Sequence, residues 1–143
     1  MSSLRQPYVE LSGPALQHLR AIKKLLEDSP LGRNLVELMY LRVSQLNGCA
    51  FCLDMHARAL RSGGESHARL DTLAGWRLSP HFSAAEQAAL AWAEALTDIA
   101  ASQAADAVYQ PLLQHFSAQE ICDLTMAIAS MNALNRLAIA MRQ

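Results

Sequence analysis

Three residues near the middle of the chain have the types and the spacing needed for thiol chemistry. Cys49 and Cys52 form a CxxC pair, and His56 follows four residues after the second cysteine. On an α-helix of about 3.6 residues per turn, Cys52 lies roughly 60° around from Cys49, and His56 falls between them. The sequence therefore predicts that the three side chains share one narrow helix face. Helix neighbours three positions apart are separated by about 5–6 Å, which a disulfide can span after a small adjustment.

The same stretch is predicted to begin a helix, because Asn47-Gly48 interrupts the helical pattern that precedes it. The positive end of the helix dipole and the free N–H groups of the first turn favour a thiolate. Thiolate is the nucleophile in both peroxide attack and disulfide exchange. Position alone favours Cys49 as the attacking thiol, since it is nearer the start of the helix.

Several other chemistries also use a CxxC pair with a nearby histidine. Attachment of c-type haem needs the histidine directly after the second cysteine, where this chain has Leu53, so it is excluded. A thioredoxin-like pair lies in a βαβ context, and no strand pattern is visible. A zinc site with Cys49, Cys52, His56 and Glu37 as ligands stays open. The alternative that the CxxC pair has no function also stays open. Dithiol redox chemistry is the interpretation that we favour.

The other candidate side chains have weaker support. No other histidine shares a predicted helix face with two cysteines, and the remaining ones are His18, His67, His81 and His115. A third cysteine, Cys122, is predicted to be a small buried hydrophobic residue of the last helix. Asn132, Asn135 and Arg136 interrupt that apolar helix, and we expect them to satisfy helix ends or to cross a subunit interface.

Length indicates one domain over residues 1–143, and the helical periodicity found throughout indicates that it is all-helical. The chain is 52% hydrophobic and only 17% charged, with a net charge of −1. We expect an obligate oligomer to bury the excess apolar surface. A membrane span is not expected, since Asp123, Asn132, Asn135 and Arg136 interrupt the apolar run Ile121–Met141. The chain has no basic stripe, so nucleic-acid binding is not expected. It has no N-terminal apolar signal either, so secretion is not expected and a cytoplasmic location is expected.

Helical periodicity predicts about six to seven helices. Ser83 with Glu86, and Ser117 with Glu120, have the spacing of capping boxes, in which hydroxyl and carboxylate satisfy free N–H groups reciprocally. Pro111 is expected in a first turn or at a kink. The predicted helices run over about Pro14–Glu27, Arg33–Gln45, Asn47–Ser62, Glu65–Trp76, Ala84–Ala101, Ala107–His115 and Ser117–Arg142.

The arrangement Glu37, then Cys49, Cys52 and His56, resembles the Glu…CxxCxxxH signature of the AhpD-like branch of the carboxymuconolactone decarboxylase family. The residues 41–49 (LRVSQLNGC) and 131–137 (MNALNRL) also resemble that branch, and the resemblance covers about 16–141. It implies an all-α fold assembled as trimers or hexamers. The family's best-studied pattern has a histidine immediately before the second cysteine, where this chain has Phe51.

The resemblance also implies a role for each site residue. Cys52 corresponds to the peroxidatic thiol, which attacks a hydroperoxide and becomes a sulfenic acid, and Cys49 to the resolving thiol. His56 and Glu37 correspond to a proton relay that acts on Cys52. The implied function is a thiol-dependent alkylhydroperoxidase with peroxiredoxin-type activity. It would need no cofactor and no metal, and its partners would be a hydroperoxide and an unidentified dithiol reductant protein.

Two rival functions belong to other classes. A non-catalytic, redox-sensing helical oligomer would form the disulfide once and change its assembly, whereas an enzyme would cycle with a reductant. An enzyme acting on a small lactone through His56 and Glu37 would keep its activity without both thiols.

Overall fold

A computed structural model describes residues 3–143; Met1 and Ser2, which the predicted domain included, lie outside the described residues. Across the described residues the chain is all-helical, as predicted, and it forms nine α-helices and two 3₁₀ helices. The helices are α1 (Tyr8–Leu11), α2 (Gly13–Glu27), α3 (Arg33–Asn47), α4 (Ala50–Ser62), α5 (His67–Asp71), α6 (Ala84–Thr97), α7 (Ile99–Ser102), α8 (Asp106–Tyr109) and α9 (Ala118–Met141), with 3₁₀ helices at Leu73–Leu78 and Gln110–Gln114. The prediction of six to seven helices was therefore too low.

Most of the extra helices come from breaks inside segments predicted as continuous. The segment predicted over Ala84–Ala101 ends at Thr97 because Asp98 has a non-helical backbone (φ −104°, ψ 51°). The hydroxyl of Ser102 donates to the Ala95 carbonyl, a local bond that competes with the helical pattern. Pro111 lies at the start of the second 3₁₀ helix, as expected. The sequence pattern did not predict α1.

Both capping boxes are present. The Ser83 hydroxyl accepts from the Glu86 N–H, and the Glu86 carboxylate accepts from the Ser83 N–H at 2.8 Å. Ser117 and Glu120 repeat this arrangement at the start of α9. These capping boxes set where α6 and α9 begin, and the sequence prediction of both boxes is confirmed.

The core lies where α3, α6 and α9 pack against one another. Helix α3 is buried around most of its circumference, and its buried residues include Leu38, Met39 and Val43. A helix buried in this way belongs to the interior of a domain. On α2, helical spacing in the sequence predicts an apolar stripe that includes Leu16, Leu25 and Leu26. Leu16 and Leu26 are buried, but Leu25 is exposed. Helix α3 therefore gives the fold its central element, and Glu37 is one of its buried residues.

Helix α9 is long and apolar enough to cross a membrane by length and composition alone. The sequence expectation of no membrane span used a stricter criterion, an apolar run without polar interruptions, and it stays an expectation. Among the described residues, α9 packs against α2, α3, α4 and α6, and its residues Leu124 and Ile128 are fully buried. The central helix of a protein core passes the same composition test, and α9 has that position here.

A cluster around Glu94 joins α3, α6 and the first 3₁₀ helix. Arg42 donates to Glu94 Oε1 through Nη2 at 2.8 Å and through Nε at 3.1 Å. The Trp76 indole N–H donates to the same oxygen at 2.8 Å, and Arg77 Nη1 lies 2.7 Å from Oε2. Burial raises the pKa of the Glu94 carboxyl, but the hydrogen bonds from Trp76, Arg42 and Arg77 outweigh it, so that the pKa lies below its ordinary value.

Candidate active site

The turn between α3 and α4 places the first cysteine. Gly48 ends α3 with a left-handed backbone (φ 70°), a conformation that glycine adopts without a steric cost. The Cys49 N–H then returns to the Ser44 carbonyl at 3.1 Å. Cys49 itself is extended (φ −82°, ψ 95°) and is the N-cap of α4. The prediction that Cys49, Cys52 and His56 all belong to one helix is thus wrong for Cys49, which lies just outside it.

The two cysteines are nevertheless brought together. Cys49 and Cys52 form a disulfide with a Cα–Cα separation of 5.3 Å, and both residues are buried. Cys49 Sγ also accepts from the Cys52 N–H at 3.4 Å, in the position that a serine or aspartate cap normally occupies. Cys52 lies in the first turn of α4, where the helix dipole stabilises a negative charge. The pair can therefore exchange two electrons between a dithiol and a disulfide.

His56 and Glu37 form a buried pair across two helices. His56 lies one turn after Cys52 on α4, and its Nδ1 is 2.7 Å from Glu37 Oε2 on α3. The exposed fraction is 0% for His56 and 4% for Glu37, so neither residue is a solvated surface position. Lys23 on α2 adds a positive charge 3.9 Å from the other oxygen of Glu37. In a neutral imidazole, a carboxylate at this distance favours the tautomer with the proton on Nδ1, in which Nε2 is an acceptor.

Two buried polar atoms beside this pair have no hydrogen-bond partner among the described residues: His56 Nε2 and the Tyr40 hydroxyl. The rings of Tyr40 and His56 lie 5.2 Å apart, centroid to centroid. Burial, followed by the charges of Glu37 and Glu27, raises the pKa of Tyr40 well above its ordinary value. Tyr40 therefore stays protonated. Most buried polar atoms in folded proteins are hydrogen-bonded, so two such atoms side by side distinguish this region.

Each cysteine faces a different cavity. Cys52 lines a cavity of about 370 Å³, and Cys49 lines a second, more open one of about 280 Å³. Phe51, Ala138 and Gln143 line both cavities and lie between them. The larger volume falls within the range of pockets that hold small organic ligands. His56 and Glu37 line neither cavity.

A network of asparagines ties α9 to the end of α3 next to the cysteine turn. Asn47 donates to Asn132 Oδ1 at 2.9 Å and to Asn135 Oδ1 at 3.1 Å, and Asn135 donates to Ser44 at 3.1 Å. Arg136 donates to Asn132 at 2.9 Å. The sequence prediction assigned Asn132, Asn135 and Arg136 to helix ends or an interface, and it missed this contact within the chain. Their position in an otherwise apolar helix was the signal.

Other sequence candidates lie apart from this site. The four remaining histidines are exposed: His18, His67, His81 and His115. Cys122 is exposed too, which corrects the prediction that it is buried; it lies on the outer face of α9. Within residues 3–143, no group of three histidines, cysteines or acidic residues is arranged to hold a metal ion.

Comparison with known proteins identifies the family. Residues 14–95, more than half of the chain, match the carboxymuconolactone decarboxylase family. The chain is 34% identical to the uncharacterized protein YdfG of Bacillus subtilis over 139 residues, which are 97% of this chain and 95% of that one. This chain belongs to the carboxymuconolactone decarboxylase family. Another relative is YnjA of Escherichia coli, uncharacterized as well, with 34% identity over 79% of this chain and 62% of YnjA.

Solved structures place the chain in the AhpD-like branch of the carboxymuconolactone decarboxylase family. A protein of unknown function from Agrobacterium tumefaciens, described as a candidate antioxidant defence protein AhpD, matches with a TM-score of 0.94 and 36% identity over 99% of this chain and 97% of that one. A peroxidase-related protein from Silicibacter matches with a TM-score of 0.80 and 25% identity over 90% of this chain and 68% of that one. An alkylhydroperoxidase AhpD core protein from Ralstonia eutropha shares the fold, with a TM-score of 0.81 at 20% identity over 94% and 72% of the two chains.

Proposed function

We propose that this chain is a thiol-dependent hydroperoxide reductase in which Cys49 and Cys52 are the redox-active pair. The observation that carries the proposal is the pairing of the two sulfurs at the start of α4, where Cys52 lines the larger cavity. The names of two AhpD-like relatives, a candidate antioxidant defence protein and a peroxidase-related protein, support the same activity. The proposed activity is therefore an antioxidant one of the peroxiredoxin type.

The chemistry begins with the reduced dithiol. The Cys52 thiolate attacks the terminal oxygen of the hydroperoxide, the O–O bond breaks, and the products are a Cys52 sulfenic acid and an alkoxide. The alkoxide takes up the proton that Cys52 lost and leaves as the alcohol. Cys49 then attacks the Cys52 sulfur, a water molecule leaves and the disulfide forms. An external dithiol reopens it by two thiol exchanges, so that one hydroperoxide and one dithiol give one alcohol, one water and one disulfide.

In this proposal, His56 and Glu37 move the proton. With Nδ1–H donated to Glu37, Nε2 of His56 is the basic atom, and it has no other partner among the described residues. It would accept the Cys52 proton, directly or through a water, and return it to the alkoxide. Glu37 stabilises the imidazolium that forms in between. No flavin, haem or metal is needed, because the two sulfurs carry both electrons.

The smaller cavity supports a separate place for the reductant. Since Cys49 lines that cavity, an incoming thiolate would attack Cys49 and release Cys52 on the substrate side. We further propose that the chain works as a homo-oligomer, a trimer or a hexamer, in the cytoplasm, where cellular reductants maintain dithiols. Exposed apolar side chains beside the site, among them Phe51 and Ile139, are available to contact another subunit.

The test is a thiol count with a matched control. The reduced chain has three thiols, and one equivalent of cumene hydroperoxide should leave one, that of Cys122, with the peroxide consumed. Cys52→Ser should abolish turnover, whereas Cys122→Ser should keep it, because Cys122 is exposed and outside the pair. Cys49→Ser should stop at the sulfenic acid, which a dimedone adduct detects by mass spectrometry. Three unchanged thiols with unconsumed peroxide would reject the proposal.

The same variants separate the rival functions. A redox sensor would form the disulfide once and would show no repeated turnover when a dithiol such as dithiothreitol is supplied. An enzyme acting on a lactone through His56 and Glu37 would keep its activity in a Cys49→Ser/Cys52→Ser chain. Loss of all activity in that double variant, with a retained fold by circular dichroism, supports the thiol mechanism.

A further inference from the structure

The larger cavity has an apolar wall. The side chains that line it from α4 and α9 are hydrophobic and include both half-exposed and buried ones, namely Phe51, Met55, Met131, Leu134 and Ala138. Cys52 opens onto this wall. A wall of this kind adds binding energy in proportion to the apolar area that the ligand removes from water, about 25 cal/mol per Å². Hydrogen peroxide has no apolar part and gains nothing from it, whereas an organic hydroperoxide does.

The side of the cavity that α2 forms is basic. Helix α2 contributes Arg20, Lys23 and Lys24, together with one acidic residue, Glu27. Lys23 is paired with Glu37, at 3.9 Å. Arg20 and Lys24 have no carboxylate partner in residues 3–143. Apart from the paired Lys23, the positive charges of Arg20 and Lys24 exceed the negative charge of Glu27 by one. Both side chains point along one helix face, since residues four apart on a helix are neighbours.

From these two sides we infer that the preferred substrate is an organic hydroperoxide that also carries an anionic group. Its apolar body would lie against the apolar wall that includes Phe51 and Met131, with the peroxide group at Cys52. Its anionic group would lie between Arg20 and Lys24. The inference rests on the proposed peroxidase function and adds a substrate class to it. Arg20 and Lys24 would act in binding and specificity, and they would take no part in the transfer of electrons or protons.

The experiment compares two hydroperoxides that differ only in charge: cumene hydroperoxide and its para-carboxylate derivative. Each kcat/KM is divided by the rate constant for the same peroxide with free dithiothreitol, which removes differences in intrinsic reactivity. At roughly 20 mM salt the wild type should prefer the carboxylate at least about fivefold, and the preference should approach one near 0.5 M salt, because added ions screen exposed charges. Hydrogen peroxide should be the poorest substrate of the three.

The double variant Arg20→Gln/Lys24→Gln assigns the preference to these residues. It should lose about fivefold to tenfold in kcat/KM for the carboxylate and less than twofold for cumene hydroperoxide. Arg58→Gln is the matched control, because Arg58 is an exposed arginine on α4 that pairs with Asp54 and lines neither cavity. An equal loss with both peroxides, or equal normalised values in the wild type, would overturn the inference while leaving the peroxidase function intact.

A binding measurement covers the case in which no peroxide is turned over. The probe is 4-isopropylbenzoate, which has the same ring and the same carboxylate without the reactive group, titrated into the disulfide form and followed by NMR. Binding that weakens at least fivefold in Arg20→Gln/Lys24→Gln would support the anion site even though the proposed function had failed. No binding, or equal binding by both proteins, would overturn the inference.

Discussion

Two carboxylates, the buried Glu37 and the partly buried Glu94, have opposite surroundings. Glu94 receives hydrogen bonds from Arg42, Arg77 and the Trp76 indole, so that its charge is fully compensated. Glu37 has a histidine at 2.7 Å and a lysine only at 3.9 Å, and beside it two polar atoms lack a partner. A saturated carboxylate is suited to hold helices together. A carboxylate that is hydrogen-bonded to a histidine is suited to proton transfer when the second ring nitrogen of that histidine has no partner.

The comparison teaches that burial of a charge does not by itself indicate function. Glu37 lies on α3, and one charged partner of Glu94, Arg42, lies on the same helix only five residues after it. What differs is whether hydrogen-bonding capacity remains unused. In four experiments, changes at the two sites should therefore give opposite results for activity and stability.

The largest effect is expected from Glu37→Gln. The amide still accepts a hydrogen bond from His56 Nδ1–H, so we expect the free energy of unfolding to change by less than about 1 kcal/mol. The imidazolium formed during the reaction loses its counter-charge, and kcat/KM for cumene hydroperoxide should fall about 100-fold or more. Stopped-flow kinetics and urea denaturation measure the two quantities. Unchanged kinetics would show that Glu37 has no part in the proton transfer.

The next effect is expected from Glu94→Ala, and it should appear in stability instead. This change leaves Arg42 and the Trp76 indole N–H without their acceptor, at a cost of about 1–3 kcal/mol in the free energy of unfolding. The kcat/KM of the folded protein should stay within about twofold, because the cluster does not touch the cysteines or either cavity. A large loss of activity at full stability would contradict the division between the two carboxylates.

The pH dependence of stability sharpens the same contrast. Because the pKa of Glu94 is lowered in the folded chain, this carboxyl adds stability above its unfolded pKa, and that stability is lost as the pH falls through the folded value. On acidification from about pH 4.5, the ordinary pKa of a glutamate, down through the lower folded value, the wild type should therefore lose more unfolding free energy than Glu94→Gln does. The difference in slope should not exceed about 1.4 kcal/mol per pH unit, the limit for one proton. Parallel curves would mean that Glu94 is not stabilised as an anion.

The smallest effect is expected from Tyr40→Phe. This variant removes a buried hydroxyl without a hydrogen-bond partner and keeps the ring that packs on His56. The free energy of unfolding should stay the same or rise by up to about 1 kcal/mol. Trp76→Phe is the matched control, since it removes a buried donor that does have an acceptor, Glu94, and it should destabilise. A marked destabilisation by Tyr40→Phe would reveal a partner for the hydroxyl.

Much of the local structure could be predicted from adjacent residues. The capping boxes at Ser83 and Ser117, and the turn at Gly48, depend on side chains within a few positions of each other. The break at Asp98 was missed, because the alanine-rich sequence on both sides favours a continuous helix and the competing bond joins Ser102 to Ala95. The exposure of Cys122 and Leu25 was also missed, since it depends on which face of a helix its neighbours cover.

The sequence by itself determined that two cysteines lie three residues apart near a helix start, a proximity that any such helix start provides. Tertiary structure decided the rest of the candidate site. Glu37 and His56 are 19 residues apart and meet only because α3 packs against α4. The cavity behind Phe51 exists only because α2 and α9 enclose it with α4. Contacts between helices form when the apolar faces of several helices, far apart in the sequence, are buried against one another. No short stretch of residues contains that information.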